Sequence, residues 1–182
     1  MTRRMLTLAP LALLATAAGS GVIDLKNASS EQVVAAYANA QKERPGRYFG
    51  TNKVVAVDVT GVAPAMKPLV DQITKPMIGK LKSFDVCLTA EGVKRPVFED
   101  FNTAGSTCRY ARYRQKGSAV DVEMRCTAPN DPNEKTITAT GQITAEKSAF
   151  DLVASQVGPM PGSQLRIHSH YENSRAGECQ PQ

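Results

Sequence analysis

Apolar positions along this chain follow a helical period first and a period of two afterwards. Between residues 30 and 43, Val33, Val34, Ala36, Tyr37 and Ala40 recur at helical spacing, giving one apolar stripe that must pack on something. Ser29 stands where an N-cap belongs, with Gln32 at the third helical position and Ala28 set to staple weakly to Val33. Pro45 and Gly46 are expected to stop this helix. Beyond them Val55, Val57 and Val59 alternate with Val54, Ala56 and Asp58. That alternation predicts a strand over 47–60 with its more apolar face inward, ending in a turn at Gly61.

Residues 63–82 are mixed in character. Met66, Leu69, Val70, Ile73, Met77, Ile78 and Leu81 keep helical spacing, while Pro64, Pro68 and Pro76 interrupt it. The expectation is one or two short amphipathic helical segments or an irregular excursion. Strands are predicted over 84–88, 108–116, 120–127, 135–144, 148–155 and 164–171, each bounded by Gly, Pro, Asn or Asp. Gly117-Ser118 reads as the clearest hairpin turn, Asn130 to Asn133 as a second turn, and 158–162 as a rigid third loop. Short connections favour antiparallel neighbours. The fold class is therefore mainly β: a curved antiparallel sheet of about seven strands, a partial barrel or a sandwich, with an N-terminal helix and disulfide cross-links.

The N-terminus changes the setting. Arg3 and Arg4 precede a short apolar run over 5–14, and Ala15-Thr16-Ala17 offers a small-x-small cleavage site, the pattern of a secretory signal peptide. The run falls short of the roughly 20 apolar residues that span a bilayer. Nothing later resembles a transmembrane anchor, so a periplasmic location is expected. The organisation that follows is a signal peptide over 1–17, a linker and amphipathic helix over 18–44, one β-rich domain over 45–179 and a tail over 180–182. Losing two arginines with the leader lowers the formal charge from +5 to +3, a weak excess interspersed with acids. Lys80, Lys82, Lys94, Arg95, Arg109, Arg112, Arg114 and Lys116 make the middle of the chain basic. No helix or zinc pattern organises them, so they read as a solvated face with no nucleic-acid partner.

Export gives the four cysteines their meaning. In an oxidising compartment Cys87, Cys108, Cys126 and Cys179 are structural cross-links. Three connectivities exist. The favoured one is sequential, with Cys87–Cys108 closing an intervening loop and Cys126–Cys179 pinning the C-terminal tail. Thiol catalysis lacks the close Cys-x-x-Cys pair that it needs.

Other chemistry is sparse. His168 and His170 are two apart on a predicted strand and would share a face, making them weak candidates for a metal site that would still need further ligands. A Gly-x-Ser-x-Gly elbow and a phosphate-binding loop are both missing from the sequence. Glu99 and Asp100 are adjacent and would point to opposite faces of a strand. The expectation is a noncatalytic protein without a cofactor, binding a hydrophobic small molecule, a lipid or an envelope protein. Met66, Leu69, Ile73 and Met77 are the candidate ligand-binding residues, since methionine is soft and the prolines resist regular packing. The alternative is metal binding or catalysis by His168 and His170. Oligomeric state is not legible.

Pro45-Gly46-Arg47-Tyr48, Cys87-Leu88-Thr89, Cys108, Cys126 and Arg175-Ala176-Gly177-Glu178-Cys179 together resemble the pattern of domain-of-unknown-function family 3617, exported proteins of Gram-negative bacteria. The resemblance runs from Pro45 to Cys179 and departs where Tyr48 replaces the family's usual tryptophan. It implies location and fold style, with the last cysteine closing the domain, and it brings no established catalytic residues. Folding alone accounts for the shared positions: Tyr48 is expected to plug one end of the core with its hydroxyl in water, and Thr89 to begin a turn.

Overall fold

A computed structural model describes residues 21–98, 106–129 and 131–180. The expected leader over 1–17, Glu99, Asp100, Asn130 of the second turn and the end of the tail lie outside the described residues. The chain forms β1 (Ile23–Ala28), α1 (Ser30–Tyr37), β2 (Gly46–Thr60), α2 (Lys67–Thr74), β3 (Leu81–Leu88), β4 (Thr107–Lys116), β5 (Ala119–Ala128), β6 (Asp131–Ile143), β7 (Lys147–Val157) and β8 (Gln164–Gly177). All eight strands join one open antiparallel sheet in the order β1-β4-β5-β6-β7-β8-β2-β3. The mainly β class is observed. Of the two shapes left open, the sandwich is overturned because the described residues form one sheet, not two.

The strand order explains the filling of one face. β1 and β3 are opposite edges, yet β1 leads to β2 beside β3, and β3 leads to β4 beside β1. Both connections must cross the sheet, and α1 lies in the first. Eight strands about 4.8 Å apart would make a flat sheet about 34 Å wide. The short helix α1 nevertheless packs beside β1 and β4 and shares a cleft with side chains of β3, so the sheet curls around it. Val33 and Tyr37 of α1, Phe98 of the second crossing, and Tyr110, Tyr113, Val122, Met124 and Phe150 of the sheet form the buried core.

Several local expectations hold. Ser29 Oγ accepts from Gln32 N at 3.3 Å and Gln32 Oε1 from Ser29 N at 2.9 Å, a complete capping box. Gly117 and Ser118 join Lys116 to Ala119, with Gly117 at φ 57°, as a two-residue hairpin turn requires. Thr89 Oγ1 accepts from Gly92 N at 3.0 Å.

Others are corrected. α1 ends at Tyr37, not at Pro45, because beyond Ala40 the stripe runs out in polar Gln41 and Arg44, and Arg44 N is drawn to the carbonyl of Ala145 at 3.0 Å. Residues 23–28, expected only as linker, form the edge strand β1, with Asp24 3.0 Å from Arg114 across the pair. Val57 and Val59 pair with Ile167 and Leu165, but Val55 sits at a register shift and is half exposed. The Tyr48 side chain is fully buried, and its hydroxyl lies 2.9 Å from the carbonyl oxygen of Arg44 and 3.0 Å from that of Ala145 rather than in water.

The sequential disulfide pairing is also overturned. The bonds are Cys87–Cys179 and Cys108–Cys126. Cys108 stands directly opposite Cys126 across the β4–β5 hairpin. β2 lies between β3 and β8 and places Arg47 opposite both Cys87 and Gly177, so the chain leaving β8 reaches back over β2 to β3.

Candidate functional site

The two crossings leave space between them. A cleft of about 880 Å³ is walled by α1 (Val34, Tyr37), by β3 (Phe84, Val86, Leu88) and by the second crossing (Val93, Val97, Phe98), over a floor that includes Leu152, Tyr171 and Asn173. Alternation builds the β3 wall: Lys82, Phe84, Val86 and Leu88 pair with Asn52, Gly50, Tyr48 and Gly46 and share their face. Gly50 lets the Phe84 ring lie down. A Cβ there would meet Phe84 Cζ at 2.1 Å, and the ring instead stacks on Tyr171 with centroids 5.4 Å apart.

One carboxyl is set into this apolar surface. Glu43 is only 6% exposed. Burial holds its carboxyl above the usual carboxylate range, while hydrogen bonding from Ser148 and Asn173 partly offsets the rise. Burial likewise raises the Tyr37 hydroxyl, and nearby Glu43 adds to that rise. Asn173 Oδ1 accepts from Ser148 N and Oγ, both at 2.9 Å, and its Nδ2 donates to Tyr171 Oη at 3.0 Å. Among the described residues, buried Glu43 Oε1 and Asn52 Oδ1 have no hydrogen-bond partner, and both residues line the cleft. Asn173, which hydrogen-bonds the Glu43 carboxyl, pairs with Gly50, two residues along β2 from Asn52. Lys82, Glu91, Lys94 and Arg95 also line the cleft, with Lys94 Nζ 2.7 Å from Glu91. The cleft thus combines an apolar body, two buried acceptor oxygens without a partner among the described residues, and several charges.

The sequence-nominated residues lie elsewhere. Met66, Leu69 and Ile73 are exposed and Met77 half-buried on the excursion between β2 and β3, and none of the four lines the cleft. His168 and His170 pair with outward positions of β2 and β7, on the face opposite Tyr171 and Asn173. His168 Nε2 is 3.0 Å from Asp58 and His170 Nδ1 2.8 Å from Asp151, so each histidine meets a different carboxylate. Among the described residues no group of three or more His, Cys, Asp or Glu side chains lies together. No described helix is long and apolar enough to cross a membrane. Sequence reasoning missed Glu43, Asn52 and Phe84 as site residues. For Phe84 the one visible signal was the even-numbered alternation of β3, which marks a wall without saying that space lies in front of it; Glu43 and Asn52 lie outside that strand.

In comparisons with known proteins, a family model described as "Protein of unknown function (DUF3617)" matches residues 43–179. No curated protein and no solved structure matches.

Proposed function

The chain belongs to the DUF3617 family of proteins of unknown function, and from that premise we propose that it is a noncatalytic periplasmic protein that holds a hydrophobic small molecule or lipid in the cleft between α1, β3 and the second crossing. The observation that carries this reading is a space of about 880 Å³ lined by Phe84, Val86, Leu88, Val93 and Leu152 around the buried carboxyl of Glu43. Small-molecule sites have this size and this balance of apolar wall to few polar groups. Glu43 Oε1 and Asn52 Oδ1 favour a ligand whose buried end carries a hydrogen-bond donor, because an acceptor left unpaired on burial costs about 1–3 kcal/mol. Two disulfides fit an oxidising compartment, and the leader pattern over 1–17 supplies the route.

Native mass spectrometry of protein released from the periplasm tests the proposal. The expected result is a noncovalent adduct of lipid-like mass that disappears in Val86→Trp, whose indole would fill the cleft from a half-exposed wall position. Protein that stays free of adduct under gentle conditions, and whose thermal midpoint is unmoved by long-chain alcohols or amines, would overturn the binding reading.

A further inference from the structure

The excursion between β2 and β3 lies outside the cleft and has a different composition. It consists of a 3₁₀ turn over Pro64–Met66, helix α2 and a second 3₁₀ turn over Lys75–Met77. Val70 and Thr74, one helical turn apart, are the buried residues of α2. Leu69 and Ile73 precede each by one residue, so they lie about 100° around the helix and stay uncovered, 46% and 51% exposed. Gly79 N donates to the carbonyl of Val54 at 2.8 Å, and Val54 N to that of Lys80 at 3.0 Å, which ties the end of the excursion, between Ile78 and Leu81, to the β2 residue that precedes Val55. Ten large hydrophobic side chains are exposed among the described residues, and Val55, Met66, Leu69, Ile73, Ile78 and Leu81 are six of them. The exposure is concentrated at this excursion and the strand positions bonded to it.

Lysines flank the same positions. Residues 62–82 hold Lys67, Lys75, Lys80 and Lys82 against one acid, Asp71, which lies 3.8 Å from Lys75. Lys53, opposite Leu81, adds a fifth lysine. The sign of this charge selects an anionic partner. A bilayer interface accepts apolar side chains spread over two turns, a helix and a strand end, because it asks only for apolar depth with cations at headgroup level. A folded acidic protein would instead need a shaped surface to meet them.

We infer that this excursion is a membrane-docking element, which lays Leu69, Ile73 and their apolar neighbours into an anionic lipid surface while the surrounding lysines meet the headgroups. The element adjoins the cleft through Lys82, which follows exposed Leu81 and lines the cleft. The inference stands on exposure and charge and is independent of whether the cleft holds a ligand.

Co-sedimentation of the oxidised protein with vesicles of phosphatidylethanolamine, with and without phosphatidylglycerol, tests it. The expected outcome is partitioning that needs phosphatidylglycerol and weakens with salt. It falls about thirtyfold in Lys67→Gln/Lys80→Gln, at about fivefold per lysine, and at least about tenfold in Leu69→Ser/Ile73→Ser. All four positions are exposed, and near-ultraviolet circular dichroism of each variant checks that the fold is kept. Equal binding to both vesicle types, variants that sediment like the parent, or a protein that sediments with neither vesicle at low salt would each overturn the inference. The last result would assign the surface to an acidic protein. A cleft adduct unchanged in Leu69→Ser/Ile73→Ser separates this test from that of the ligand.

Discussion

Cys87 and Cys179 are 92 residues apart in the chain and 5.6 Å apart at Cα, because the chain leaving β8 reaches back over β2 to β3 at one corner of the sheet. Cys108 and Cys126 are separated by only 18 residues and bridge a hairpin that already holds them opposite each other. The long closure strains the unfolded chain more. By chain-entropy scaling the two bonds contribute roughly 4.6 and roughly 3.2 kcal/mol.

Replacing Cys87 and Cys179 with alanine should therefore cost about 1.4 kcal/mol more than replacing Cys108 and Cys126, read as urea unfolding free energies. Peptide mapping without reductant should recover the 87–179 and 108–126 linked fragments. Recovery of a Cys87–Cys108 peptide would reject the observed strand order along with the pairing.

Gly50 is a position of close approach. Adding one methyl group would set a Cβ 2.1 Å from Phe84 Cζ and 2.7 Å from the carbonyl oxygen of Glu172, so the ring must leave its stack on Tyr171. Gly50→Ala is expected to lose about 1–3 kcal/mol, as overpacking does, and to weaken any cleft adduct. Stability within about 0.5 kcal/mol of the parent would show that Phe84 has room to move.

The Tyr48 hydroxyl serves two backbone carbonyls inside the protein, those of Arg44 and Ala145. Tyr48→Phe keeps the ring and removes the donor, and the expected cost is about 1–2 kcal/mol, visible as a lowered urea midpoint with an unchanged slope. A hydroxyl that reached water would make the substitution neutral.

Glu43 gives a pH dependence of definite sign. Its carboxyl binds a proton more tightly in the folded chain than in the unfolded one, because burial raises it. Between the two values the folded state holds more protons, so this group makes stability fall as pH rises from the ordinary carboxylate range through the raised folded value, and then level off. Glu43→Gln resembles the protonated form and removes that decline. The variant should match the parent near pH 4 and exceed it near pH 8 by about 1.4 kcal/mol per pKa unit of the rise. Parallel profiles across that range would place the carboxyl in water.

Much of the β framework can be read residue by residue. The turn at Gly117-Ser118 fixes the β4–β5 register, and counting back from it brings Cys108 within one residue of Cys126. The register shift between Tyr110 and Arg112 supplies the remaining step. That count contains the correct disulfide, whereas the sequential pairing followed distance along the chain. Ile23 and Leu25 alternate with Asp24 and Lys26, so β1 carried a period-two signal although it was too short to stand out beside the leader. Glu43 offered no such pattern. A glutamate ahead of Pro45-Gly46 resembles a solvated helix end until Ser148 and Asn173 are seen against it.

By itself the sequence determined an antiparallel β protein with a capped helix, a hairpin at Gly117-Ser118, four cysteines and an apolar, lysine-rich excursion. Each of these is written in local period, turn chemistry or composition. Only the tertiary structure decided that β2 divides β3 from β8, that two crossings share one face, and that a cleft with a buried carboxyl remains between them. Strand order and enclosed space depend on which distant segments lie side by side, and alternation along a single strand is the same whatever its neighbour.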